Sequence, residues 1–176
     1  HGGGIASARF FAQLGARVTV TDLKQASELK KSIARLASYK NITFVLGRHR
    51  ERNFTGADLI IRNPAVPNTN KYLKNARNAG IPVHTDVSWF LDLLRNNNDI
   101  TIIGITGTKG KSSTAALLHR ILEQCGKKAI LAGNIRKSPL DFLQIKKNKS
   151  LVIGHWSLVI LELSSWHIES LYEHKL

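Results

Sequence analysis

An apolar, β-branched run, Ile100-Thr101-Ile102-Ile103, breaks off into Gly104-Ile105-Thr106-Gly107-Thr108-Lys109-Gly110-Lys111-Ser112-Ser113. A helical pattern follows, with Ala115, Leu118, Ile121, Leu122 and Cys125 on one stripe and Gly126 as the stop. Strand, glycine loop, helix is a narrow prescription, because it places unpaired backbone N–H groups in a concave turn at the positive end of a helix. Glycines let those groups approach an anion with no Cβ in the way. The sequence therefore predicts a phosphate-binding loop over Gly107, Thr108, Lys109, Gly110, Lys111, Ser112 and Ser113. Lys111 is the candidate catalytic residue, reaching the terminal phosphates as a point charge. The Ser112 hydroxyl is a candidate magnesium ligand. The spacing departs from the strict GxxxxGK[ST] pattern, since Ile105 stands where the first glycine would fall. A plain glycine-rich turn with a basic helix start is the competing reading.

Downstream, Lys128 to Ala132 reads as a strand closed by Gly133-Asn134-Ile135, and Pro139 to Leu143 as a short helix. Leu158-Val159-Ile160-Leu161 is a buried strand with Glu162 at its tip. A carboxylate so placed can hold magnesium from the side opposite the loop serine, and the alternative is a capping or surface glutamate. His167 is either a ligand contact or a structural hydrogen-bonder.

The first half has its own α/β rhythm. Gly2-Gly3-Gly4 leads into a helix from Ile5 to Gly15, and Val18 to Asp22 alternates as a strand ending on an acid. Glycine turn, helix and strand-end acid form an incomplete dinucleotide-type fingerprint, with the opening strand missing, and turn glycines or a ligand site both account for it. A helix is expected over Ala26, Leu29, Ile33 and Leu36, and strands over 42–46 and 58–62, the second running into the rigid Asn63-Pro64-Ala65-Val66-Pro67 loop. A helix over 71–80, a strand over 81–83 and a helix over 87–95 complete this half. The polar Asn96-Asn97-Asn98-Asp99 is the expected boundary between domains at 1–95 and 99–176. The fold class is α/β: a Rossmann-like N-terminal domain with a parallel sheet, then the start of a P-loop-type central domain.

Composition narrows the partners. The formal net charge is +14, which attracts polyanions, yet the basic residues are scattered and not interleaved with aromatics. No nucleic acid is expected. The single cysteine, Cys125, suits a reducing, cytoplasmic setting. No run reaches membrane-spanning length, so no membrane insertion is expected.

With these residues in place, GITGTKGKSS, AGNI and ELSSWHIE resemble the Mur peptide ligases of bacterial cell-wall synthesis in order and spacing. GIASARFFAQLGARVTVTDLK and DLIIRNPAVP resemble that family's first domain, so the likeness runs along the whole chain. It implies a monomeric, ATP- and Mg2+-dependent amide ligase of peptidoglycan precursor synthesis. The D-glutamate-adding branch would join D-glutamate to UDP-N-acetylmuramoyl-L-alanine through an acyl phosphate. It further implies ATP phosphates on Gly107 to Ser113 and magnesium at Ser112 and Glu162. The UDP-sugar would meet Gly2, Gly3, Gly4, Asp22, Leu23, Lys24, Asn63, Asn134, Ser164 and His167. His167 stands where the family usually has glutamine, Arg136 where it often has glycine, and Ala65 where glycine is usual in the proline loop. The family's third domain is absent from these residues, and the chain alone is expected to be inactive. The remaining readings are another Mur or folylpolyglutamate-type ligase and a basic nucleic-acid-binding P-loop NTPase.

Overall fold

The computed structural model describes residues 3–135 and 137–174. Two parallel-strand units follow each other along the chain. In the first, helix α1 (Gly3–Gln13) precedes β1 (Val18–Asp22), α2 (Lys30–Ala34), β2 (Ile42–Leu46), α3 (Arg52–Thr55), β3 (Ile60–Ile61), α4 (Lys71–Asn78), β4 (Val83–His84) and α5 (Asp86–Leu94). In the second, β5 (Thr101–Ile105), α6 (Lys111–Gln124) and β6 (Ala129–Gly133) lead through a 3-10 turn (Pro139–Phe142). The hairpin β7 (Gln144–Ile145) and β8 (Leu151–Val152) comes next, then β9 (Leu158–Glu162) and α7 (Ser165–Glu173).

Strand β1 pairs in parallel with β2, and β3 with β4, as two separate pairs. A doubly wound sheet places one more strand between such pairs. Among the described residues no strand joins them, so the expected single N-terminal sheet is present as two separate pairs. The second unit is one sheet in the order β5-β9-β6, with β9 parallel to both neighbours. Its register sets Glu162 level with Ile105 on one side and Gly133 on the other.

Local chemistry explains most boundaries. Thr85 and Ser88 form a reciprocal capping box that starts α5. Asn70 caps α4 by accepting the Tyr72 N–H at 3.0 Å. The helix expected over 26–36 shrinks to Lys30–Ala34, because Leu29 at its start offers no capping side chain and so short a helix gains little by itself. The strand expected at 81–83 begins only at Val83, since Pro82 has no N–H to give to a ladder. The strand expected over 58–62 is likewise confined to Ile60–Ile61.

One apolar core runs through both units. Phe10, Val87, Phe90 and Leu94 from the first pack with Ile130, Ala132, Leu140, Leu143, Val159, Leu161 and Leu163 from the second. The polar segment 96–99 thus divides the sequence pattern without dividing this core. A smaller cluster of Phe54, Leu73, Ala76 and Val83 sits under α4. No described helix is long and apolar enough to cross a membrane.

Candidate active site

The carboxyl ends of β5, β6 and β9 bring the predicted phosphate loop, Asn134 and Glu162 to one edge of the sheet. Ligands gather at such ends in open α/β sheets. The loop is exposed from Thr106 to Gly110. Gly107 has φ +146° and Gly110, the residue before α6, has φ +79°. Both lie where a side chain would strain the backbone. Lys111 Nζ donates to the Gly107 carbonyl at 2.6 Å, so the lysine folds back across its own loop. Ser112 and Ser113 lie exposed in the first turn of α6, beside its unpaired N–H groups.

Glu162 is 2% exposed, although it ends a strand. Its Oε1 accepts from Asn134 Nδ2 at 3.1 Å. Its Oε2 is buried without a hydrogen-bond partner. A buried carboxylate oxygen left unpaired is costly, and a hard cation satisfies it. The residues therefore fit a magnesium site held by Glu162, with Ser112 on the helix that follows the adjacent strand. The surface or capping alternative for Glu162 does not hold.

Ser164 caps α7, and His167 completes a capping box with it. The Ser164 hydroxyl lies 2.7 Å from His167 Nδ1, which also accepts the Ser164 N–H at 3.3 Å. Nδ1 is thus an acceptor and the ring is neutral, with its proton on Nε2. Burial lowers the His167 pKa, and the nearby Arg62 lowers it further, against the opposing pull of Asp86 and Glu162. These four groups come from the proline loop, the start of α5, the end of β9 and α7. A polar seam therefore crosses from the first unit to the second.

Other predicted substrate residues sort themselves by what they touch. Asp22 accepts the Lys24 N–H at 2.9 Å, and the turn so formed leaves Leu23 67% exposed at the end of β1. Asn63 accepts the Ala65 N–H at 2.9 Å and so shapes the proline loop, while Arg62 braces the same loop through the carbonyls of Pro64 and Val66 at 3.0 and 2.8 Å. Gly3 is pressed against Asp86, where an added Cβ would lie 2.8 Å from Oδ2, whereas Gly4 faces open space. Gly2 and Arg136 lie outside the described residues. The buried pair Asp86 and Ser138, joined at 2.7 Å, was not foreseen. Its partners stand 52 residues apart, and an acid in the first turn of a helix is too ordinary to signal the pairing.

Fold and site together define an α/β chain of two parallel-strand units with a glycine loop between β5 and α6. Residues 2–85 match the family described as Mur ligase MurD-like, N-terminal domain. Over 172 residues the chain is 42% identical to the UDP-N-acetylmuramoylalanine–D-glutamate ligase of Treponema pallidum (strain Nichols), covering 97% of this chain and 30% of that protein. The ligase of the same name from Roseiflexus sp. (strain RS-1) is 42% identical over 173 residues, covering 98% of this chain and 34% of that protein. Among solved structures, the UDP-N-acetylmuramate:L-alanyl-gamma-D-glutamyl-meso-diaminopimelate ligase from Neisseria meningitides shares the fold. Its TM-score is 0.53 at 20% identity, over 91% of this chain and 48% of that one. Residues 2–85 belong to that MurD-like N-terminal domain family, and the likeness to ligases of this type runs along the whole chain. It spans about a third of the length of the curated relatives it matches.

Proposed function

We propose that this chain supplies the UDP-substrate and ATP-phosphate sites of an ATP-dependent amide ligase of peptidoglycan precursor synthesis, working as a cytoplasmic monomer. Residues 1–95 would hold UDP-N-acetylmuramoyl-L-alanine, and residues 99–176 would begin the ATP-binding domain. D-glutamate is the amino acid added. The observation that carries the reading is the buried Glu162 carboxylate, one oxygen unpartnered, level with the strand that feeds the glycine loop.

In this reading, backbone N–H groups of Gly107 to Ser113 hold the ATP phosphates at the positive end of α6. Lys111 neutralises the terminal phosphate, which lets the anionic substrate carboxylate approach. Glu162 and Ser112 would hold magnesium, which when bound neutralises phosphate charge. The carboxylate oxygen attacks the γ-phosphorus and ADP leaves. The amine of D-glutamate then attacks the acyl carbon, loses a proton, and expels phosphate from the tetrahedral intermediate. Gly4, the Asp22-Leu23-Lys24 turn and the Asn63 loop bind the UDP-sugar, with Gly3 setting the turn behind Gly4. The His167 Nε2–H, oriented by Ser164, donates to the same ligand.

The test is phosphate release by the complete gene product with ATP, Mg2+ and UDP-N-acetylmuramoyl-L-alanine, with D-glutamate added or withheld. Release that requires D-glutamate supports the reading. Release that needs another amino acid keeps the reaction class and changes the substrate. Release indifferent to the UDP-sugar overturns it.

A further inference from the structure

The geometry points to Asn134 as the positioning residue of the Glu162 carboxylate, selecting which of its oxygens faces a divalent cation. This rests on the ligase reading above and goes beyond it, because the family resemblance places Asn134 against the sugar substrate.

Three contacts tie the Gly133-Asn134 segment to Glu162. Gly133 sits level with Glu162 across the sheet at φ +99°, and a Cβ there would run into the Glu162 backbone. That close approach carries the chain directly onto the glutamate. The Asn134 N–H then donates to the Glu162 carbonyl at 2.8 Å. Finally, the Asn134 side chain donates from Nδ2 to Oε1 at 3.1 Å. An ionised carboxylate only accepts, so the amide must turn its NH2 end toward it. The backbone bond fixes where Asn134 stands, and the side-chain bond fixes how the carboxylate is rotated. Oε1 is thereby engaged, and Oε2 keeps its full acceptor capacity in a buried position. A carboxylate with one oxygen tied and one unspent is pre-oriented for single-oxygen ligation. Without the tie, both oxygens compete for the cation and the side chain gains rotational freedom. The expected loss in cation affinity is about tenfold or more, as for other hydrogen bonds to metal-ligating groups.

The experiment uses the complete gene product. Mn2+ alone is titrated by electron paramagnetic resonance into wild type, Asn134→Ala, Asn134→Leu, Glu162→Gln and the Asn134→Ala/Glu162→Gln double variant. UDP-N-acetylmuramoyl-L-alanine affinity is measured separately by calorimetry. The expected result is a Mn2+ affinity lowered about tenfold in Asn134→Ala, with UDP-sugar affinity within about threefold of wild type. On the Glu162→Gln background, Asn134→Ala should cost nothing further. Asn134→Leu matches asparagine in shape, so it gives the same comparison if the alanine variant does not fold. Unchanged Mn2+ affinity with weakened UDP-sugar binding would overturn the proposal and return Asn134 to the substrate. Mn2+ affinity indifferent to Glu162→Gln would overturn it too. Because Mn2+ binding needs no turnover, a wild type that binds Mn2+ through Glu162 and Asn134 yet ligates nothing upholds this assignment while the ligase reading fails.

Discussion

Helix α1 opens on Gly3 and α6 follows directly on Gly110, yet α1 buries Ala6, Ser7, Ala8, Phe10 and Ala12, whereas α6 buries Ala115 alone among its residues. The start of α1 is fixed by packing. Gly3 lies against Asp86, whose carboxylate accepts the Ser138 hydroxyl from the other unit. The start of α6 is fixed by its own backbone, through Gly107, Gly110 and the Lys111 bond to Gly107. The same residue type therefore does two jobs. In the first turn glycine makes room for a buried carboxylate, and in the second it leaves the N–H groups at the start of α6 exposed. Substitution of Gly3 should register as stability, and substitutions at Gly107 or Gly110 as chemistry.

The largest effect should come from Lys111→Ala in the complete gene product. Phosphoryl transfer should fall at least 100-fold, about 2.7 kcal/mol of transition-state stabilisation, while UDP-sugar binding and melting temperature hold. Activity within about tenfold of wild type (about 1.4 kcal/mol) would remove Lys111 from its assigned role.

A pH effect of similar size belongs to the packed side of the comparison. His84 stacks on His174 at 4.0 Å between ring centroids, and its pKa is lowered from 6.5 to about 4. Burial is the main cause. His174 and Arg95 lower it further, against Asp92. The unfolded chain binds this proton more readily than the folded one, so the stability is complete above pH 6.5 and drains away as pH falls toward 4. The loss is on the order of 3 kcal/mol. His167, also lowered, acts in the same direction. Urea midpoints at descending pH should fall through this window, and His84→Phe should flatten the slope. An unchanged slope would mean that His84 ionises freely in the folded chain.

A paired substitution sharpens the contrast further. Gly3→Ala must displace Asp86 from Ser138, and should destabilise by about 1–3 kcal/mol in thermal melts. Gly4→Ala meets nothing and should be neutral or stabilising by up to about 1 kcal/mol. Its cost should instead appear as weaker UDP-sugar binding. Equal destabilisation at both positions would mean that the Gly3–Asp86 contact does not set the start of α1.

The elements with clean periodicity are legible in the sequence alone. Val18 to Asp22, the strand ending at Glu162 and the loop-helix at Gly107 to Gly126 read directly from alternation, glycines and stripe. The hairpin β7–β8 and the short helix α3 carry too few residues to show a period. The continuity of the core was hidden for another reason. Phe10 and Phe90 meet Val159 and Leu161 only in three dimensions, so a polar segment at 96–99 looked like a division. At the candidate site, residue types point to Lys111, Ser112 and Glu162, but not to the groups that hold them. The Asn134 bond to Glu162 depends on the strand order β5-β9-β6, which places residues 28 apart side by side. The Asp86–Ser138 pair depends on contact between units that neither local pattern encodes.

The central claim is that the glycine loop and Glu162 serve phosphoryl transfer to a carboxylate. It is tested most directly by following oxygen. UDP-N-acetylmuramoyl-L-alanine labelled with 18O in its carboxylate is turned over by the complete gene product with ATP, Mg2+ and D-glutamate, and the released phosphate is examined by mass spectrometry. An acyl phosphate intermediate delivers one labelled oxygen to each phosphate. Phosphate released without label would mean that ATP is hydrolysed by water and that the carboxylate never receives the phosphoryl group.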